Sequence, residues 1–179
     1  MKHLALGMLL AAMLGGCTTT PTVTTDHDPA AQFGSYQTYA WLKKPEANSP
    51  LIQQRIVSAV DAKLQARGWR QVAESSADIA LVANVATTQK QSIDTFYNGP
   101  AWGGWGWGGM GMGSASTTVR TYDVGTLVVD MFDTKTKQAV WRGTASATVP
   151  SSVEKANTLV QAGVDKMFAS FPPGSAPAK

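Results

Sequence analysis

Read by where its apolar residues fall, this chain changes rhythm several times. Residues 4–14 form an almost unbroken apolar run, interrupted only by Gly7. Further on, Tyr39 and Trp41 alternate with Thr38 and Ala40, the period of two that a half-buried strand requires. Leu51, Ile52, Ile56, Val60 and Leu64 then recur at helical spacing, with Gln53, Gln54, Arg55, Asp61 and Lys63 on the other faces. Ser49 and Pro50 supply the N-cap and first position of that helix. Arg67 and Gly68 stop it, the glycine in the left-handed conformation. A short strand over 69–72 and a turn at Glu74-Ser75-Ser76 follow.

Residues 78–94 read as a long strand with Ile79, Leu81, Ala83 and Val85 on one face and a more polar half from Thr87 onward. The next strand spans 117–124, and Gly125 separates it from 126–132, a run apolar enough for the centre of a sheet. A turn over 133–137 leads to a hairpin partner over 138–149, closed by Pro150. Ser151-x-x-Glu154 is a capping box opening a second helix, whose buried stripe is Val153, Ala156, Val160, Val164, Met167, Phe168 and Phe171, ended by Pro172-Pro173. The pattern predicts an α+β domain: a mostly antiparallel β-sheet with two amphipathic helices packed on one face. A long Gly/Trp-rich loop separates two of the strands.

The opening apolar run has another meaning. At roughly ten residues it is too short to span a bilayer, which takes about 20, and it follows a basic Met1-Lys2-His3 start, as in a signal peptide. It ends in Leu14-Gly15-Gly16-Cys17, which resembles the bacterial lipobox of an aliphatic residue, two small residues and cysteine. Cys17 is the sole cysteine, so no intramolecular disulfide is open to it, and an exported free thiol is an oxidation liability that acylation removes. The expected organisation is a lipoprotein signal peptide over 1–16, a lipidated N-terminus and tether over 17–28, in which 21–25 can start the first strand, one α+β domain over 29–173, and a frayed, disordered tail over 174–179. The expected partner is a membrane, held through lipid on Cys17. Thr18 after the cysteine, where Asp commonly retains lipoproteins at the inner membrane, is compatible with the outer membrane, so the expected location is that membrane, facing the periplasm.

Charge and composition exclude more than they assign. Lysine and arginine number 15 against 12 acidic residues, and removal of Lys2 with the signal peptide leaves 14 − 12 = +2. So small an excess, without a basic cluster, argues against nucleic acid. The mature chain carries one histidine, His27, in a solvated Asp26-His27-Asp28 stretch with no positioned nucleophile. There is no Gly-x-Ser-x-Gly elbow, no His-Glu-x-x-His and no phosphate-cradling loop. Asp123, Asp130 and Asp133 are close enough in sequence to raise a carboxylate pair for glycoside hydrolysis, but Asp130 and Asp133 also suit the mouth of a hairpin. No catalytic residue, metal site or cofactor is expected.

The segment from Tyr97 to Ser114 differs from all of this. Trp102, Trp105 and Trp107 stand among glycines with Met110 and Met112, without charge and without a period. Tryptophans on a glycine-dominated loop leave aromatic area wet, the kind of patch that marks a partner or membrane site. Tyr97, Trp102, Trp105, Trp107, Met110 and Met112 are therefore the candidate partner-binding residues. They can dip into a bilayer interface, anchor a protein partner, or stack on the sugars of an envelope glycan. Met110 and Met112 as Cu(I) ligands make only a weak set without a nearby histidine. A tolerated low-complexity insertion is the plain alternative.

Several segments taken together resemble a family of bacterial lipoproteins known as domain of unknown function 4136. The run Phe33-Gly34-Ser35-Tyr36-Gln37-Thr38-Tyr39-Ala40-Trp41 is similar to its opening motif, and Arg67-Gly68-Trp69 to the end of its first helix. Thr121-Tyr122-x-x-Gly125-Thr126-Leu127, Val140-Trp141-Arg142-Gly143 and Met167-Phe168-x-x-Phe171-Pro172-Pro173 resemble its hairpin strands and closing helix. The resemblance implies an envelope lipoprotein with an α+β domain and carries over no catalytic residue. From the residues themselves, Trp41 and Trp141 are expected in the core, and Arg142 either stacks on Trp141 or pairs with a carboxylate. The function expected is a non-enzymatic binding or assembly accessory of the envelope. A glycan-binding module is the alternative, and a hydrolase the third reading.

Overall fold

The computed structural model describes residues 20–97 and 115–173. In chain order these form β1 (Thr22–His27), β2 (Thr38–Lys43), α1 (Pro50–Gln65), β3 (Arg70–Gln71), β4 (Ile79–Tyr97), β5 (Ala115–Asp133), β6 (Ala139–Thr148) and α2 (Val153–Met167). The strands make one six-stranded sheet in the order β1-β6-β5-β4-β2-β3. Pairing is antiparallel across β1, β6, β5 and β4, and parallel where β2 meets β3 and β4. Parallel neighbours need a crossover rather than a hairpin, and α1 lies in the connection that supplies it.

Alternation decides which residues meet the helices. Tyr39, Ile79, Leu81, Ala83, Val129 and Met131 lie on one face of the sheet and are fully buried. They pack with Val60 and Leu64 of α1 and with Val164 and Met167 of α2, so both helices cover that face. At one end of this layer sits a knot of rings. Trp141 packs on Phe168 and Phe171 at centroid distances of 5.1 and 5.4 Å, and Trp69 on Phe171 at 5.5 Å. Arg67 closes the knot from outside: Nε donates to the Phe171 carbonyl at 2.5 Å, Nη1 to the Lys63 carbonyl at 3.0 Å, and Nη2 to the Phe168 carbonyl. One guanidinium thereby satisfies carbonyls left over at the ends of both helices.

Local signals behave as their chemistry dictates, with some displacements. Ser49 and Pro50 open α1, and Gly68 follows it at φ +82°. The cap of α2 is Ser152 rather than Ser151: its hydroxyl accepts from the Lys155 amide at 3.2 Å, one residue later than the capping-box reading. Leu51 and Val153, assigned to buried stripes, are 57% exposed each, because the first turns of both helices reach past the large side chains of the core. Gly125 does not divide two strands. It lies within β5, paired with Thr87 on one side and Ala147 on the other, so its missing side chain changes packing and not the path of the chain. The polar stretch read as a tether carries β1 over 22–27, with Val23 opposite Ala145 on the helix side. The expected signal peptide, Cys17, the Gly/Trp segment over 98–114 and the tail over 174–179 lie outside the described residues.

Candidate functional site

Three neighbouring ladders define one end of the sheet. Thr22 pairs with Ser146, Ser146 with Thr126, and Thr126 with Ala86, so the chain enters its fold at this end. Here β6 stops at Thr148, opposite Val124, while the β4–β5 ladder continues to Tyr97 opposite Ala115. Residues 89–97 and 115–123 therefore project as a two-stranded arm, about 30 Å long at roughly 3.3 Å per residue. Three of its apolar side chains are wet: Ile93 and Val119, cross-strand partners on the helix-side face, are 66% and 55% exposed, and Tyr122 on the opposite face is 37% exposed.

At the foot of the arm the helix layer and the sheet part to leave a cleft of about 250 Å³. Its floor is Val85, Leu127, Ala145 and Ala147, and its walls are Ile52 and Ile56 from α1 with Ala156, Leu159 and Val160 from α2. Pro21 and Val149 stand at its edge. The cause of the gap is local composition. Gly125, Ala145, Ala147, Ala156 and Gly163 face each other where large side chains fill the rest of the layer. Beside the cleft, a Cβ on Gly163 of α2 would meet the Ala145 Cβ at 3.2 Å and the Pro21 Cγ at 3.9 Å. The lining is mainly apolar, with Asn48, Ser49, Thr87, Thr126, Ser146 and Thr148 as its polar members, so the cleft suits a hydrocarbon more than a charged ligand.

Polar chemistry collects at the other end of the sheet and is spent on structure. Asp78 accepts from the Thr38 hydroxyl at 2.7 Å and from the Gln37 and Thr38 amides at 3.1 Å each. Those bonds, the hydroxyl first, hold its carboxyl below the usual carboxylate range. Asp133 accepts from the Thr136 and Lys135 amides at 2.9 and 2.7 Å and from the Tyr36 hydroxyl at 2.9 Å, and is likewise held low, by the Thr136 amide first. Burial and then this partner push the Tyr36 hydroxyl up to about 12. Asp130, 5% exposed, takes both forks of Arg142, Nε at 2.5 Å and Nη2 at 3.0 Å, on the sheet face away from the helices. Arg142 thus pairs with a carboxylate and does not stack on Trp141.

Of the three carboxylates raised for hydrolysis, Asp130 is committed to a guanidinium and Asp133 to its turn, while Asp123 lies on β5 opposite Gln89 at the foot of the arm. Among the described residues no three His, Cys, Asp or Glu side chains gather where a metal ion could sit. Tyr97 is the last residue of β4, paired through its backbone with Ala115. Cys17, Trp102, Trp105, Trp107, Met110 and Met112 lie outside the described residues. The cleft is the feature the sequence reading missed. Its signal was available in the small residues at facing positions of β5, β6 and α2, which only the strand register brings together.

A helix pair over one face of a mixed sheet, with an apolar cleft between the layers, defines a two-layer α+β domain. Residues 23–173 match the model of the domain of unknown function DUF4136, and the chain belongs to that family. No curated protein matches it in sequence. Among solved structures it is similar to a PDZ domain protein from Parabacteroides distasonis, with 12% identity and a TM-score of 0.55 over 89% of this chain. The similarity spans only 38% of that longer protein, and it shows the fold alone. A second similar structure is the PelC dodecamer from Paraburkholderia phytofirmans, at 14% identity and a TM-score of 0.48, covering 83% of this chain and 99% of that one.

Proposed function

We propose that this chain is a lipid-anchored envelope protein, held at the periplasmic face of the outer membrane by acyl chains on Cys17. It acts without catalysis, as a binding or assembly accessory, and its contact surface is the segment from Trp102 to Met112. The observation that carries this reading is the shared end of the sheet. Cys17 stands four residues before Pro21, where the chain enters the fold, and the arm that leads to Trp102 leaves from the same end. The described residues that follow the anchor and those that lead into the contact segment therefore leave the sheet at one end. Asp130 and Asp133, engaged with a guanidinium and with backbone amides, support a binding role over a hydrolytic one.

The experiment is photo-crosslinking in living cells from a benzophenone amino acid in place of Trp105. Capture of one envelope protein is the expected result. Capture of glycan would shift the function to a saccharide-binding module. No capture from folded, membrane-bound protein would remove the segment from the account.

A further inference from the structure

The cleft at the foot of the arm has a length of this chain beside it. Pro21 lines its edge, and Cys17 is four residues upstream. At roughly 3.3–3.6 Å per extended residue, four residues reach at most about 14 Å. Any acyl chain on Cys17 is therefore tethered within easy reach of the opening. The lining matches it chemically: Ile52, Ile56, Leu159 and Val160 of the walls and Leu127 of the floor present hydrocarbon, and the small residues Ala145 and Ala147 keep the floor open.

We infer that this cleft is a docking groove for one acyl chain of the protein's own Cys17 lipid. The inference rests on the proposed acylation of Cys17 and deepens it, because it gives the lipid a second resting place besides the bilayer. Size sets the stoichiometry. At about 250 Å³ the groove lies just below the roughly 300–1,000 Å³ of pockets that enclose drug-sized molecules, so it takes the end of one chain and leaves the others in the membrane. Tethering favours the protein's own chain over a free lipid, since a short link gives an effective concentration on the order of millimolar. A chain seated in the groove holds the domain close against the membrane. A chain withdrawn from it leaves Ile52 and Leu159 wet and the domain free to lift by the length of the link.

Two measurements test this. In the first, p-benzoylphenylalanine replaces Val149 at the edge of the groove in the full-length protein, and cells are irradiated before digestion and mass spectrometry. The expected product joins the Val149 peptide to the acylated Cys17 peptide, whereas the same label at Leu51, exposed on α1 outside the groove, gives none. Phospholipid captured in its place, or no capture, overturns the inference if the same digest contains acylated Cys17, and leaves the anchor standing. A Cys17 peptide without acyl chains overturns both.

The second measurement does not depend on the label being tolerated. Full-chain Cys17→Ser protein is titrated with the fluorescent fatty acid cis-parinaric acid. One-to-one binding is expected, and Ala156→Trp, which fills the groove from α2, weakens it by at least about tenfold. No binding, or binding that ignores Ala156→Trp in a folded variant, overturns the inference.

Discussion

Gly143 marks the closest approach of β6 to α2. A Cβ built there would run into the Met167 side chain and come within 2.5 Å of the Trp141 ring, in the most tightly filled part of the core. Gly143→Ala should therefore cost at least about 1–3 kcal/mol, the range of overpacked sites, read as a lower urea midpoint with an unchanged slope. The titrating residues make a second prediction. Asp78 and Asp133 are held low in the folded state, so their contribution is complete above about pH 4 and is lost as acid protonates the folded carboxylates. Tyr36 and Tyr39 run the other way: both are pushed up to about 12, burial first, so their contribution is complete below about pH 10 and is lost as pH rises towards 12. Urea melts should show a stability plateau at neutral pH with a decline on each side. Asp133→Asn should flatten part of the acid limb, and Tyr36→Phe part of the alkaline one. Single residues were unevenly legible in the sequence. Trp141 and Gly68 announced themselves by type and position. Asp61 did not, although its Oδ1 accepts from both the Tyr39 hydroxyl at 3.1 Å and the Trp41 indole at 2.9 Å, because partners 20 and 22 residues away are set by packing.

Among the elements, the two helices are joined less by their surface ion pair than by one side chain. Lys63 and Asp165 meet at 2.8 Å but are 30% and 45% exposed, and such pairs contribute about 0–1 kcal/mol. Arg67 instead binds carbonyls of both helix ends while its guanidinium carbon lies 5.7 Å from the Phe171 ring centroid. Desolvation lowers its pKa, a sign that the charge sits out of bulk water. Arg67→Lys keeps the charge and loses the fork, and should cost roughly 1.5–3 kcal/mol, the worth of a charge-assisted hydrogen bond. Equilibrium urea denaturation measures it directly. A cost near zero would return Arg67 to the plain helix-stopping role that its place before Gly68 suggests. Element existence was readable from periodicity, and α1 starts at Pro50 as read but ends at Gln65, two residues before Arg67. Element ends moved where a tertiary contact outweighed a local signal: α2 is capped from Ser152, and β5 passes straight through Gly125 because neighbours on both sides pair with it.

At the scale of the whole molecule, the arm and the body are separate in energy although continuous in chain. No buried residue of the core lies in 89–94 or 117–123, and an isolated two-stranded ribbon is marginal in water. Joining Thr88 to Val124 through a short Asn-Gly turn should therefore change stability by less than about 1 kcal/mol, measured by urea denaturation, while abolishing capture of any partner. The layer architecture was legible from the sequence, since one apolar face per strand and one stripe per helix admit few arrangements. The cleft was not, because it arises from small residues that only strand register sets opposite one another. The central claim, that the domain is tied to a membrane through Cys17, has a direct measurement. Cells expressing the wild type or Cys17→Ser are fed an alkyne-bearing palmitate, separated into soluble and membrane fractions, and probed for the protein and its label. The account predicts labelled wild type in the membrane fraction and unlabelled, soluble Cys17→Ser. Unlabelled wild type, or a Cys17→Ser protein that stays with the membrane, would contradict it.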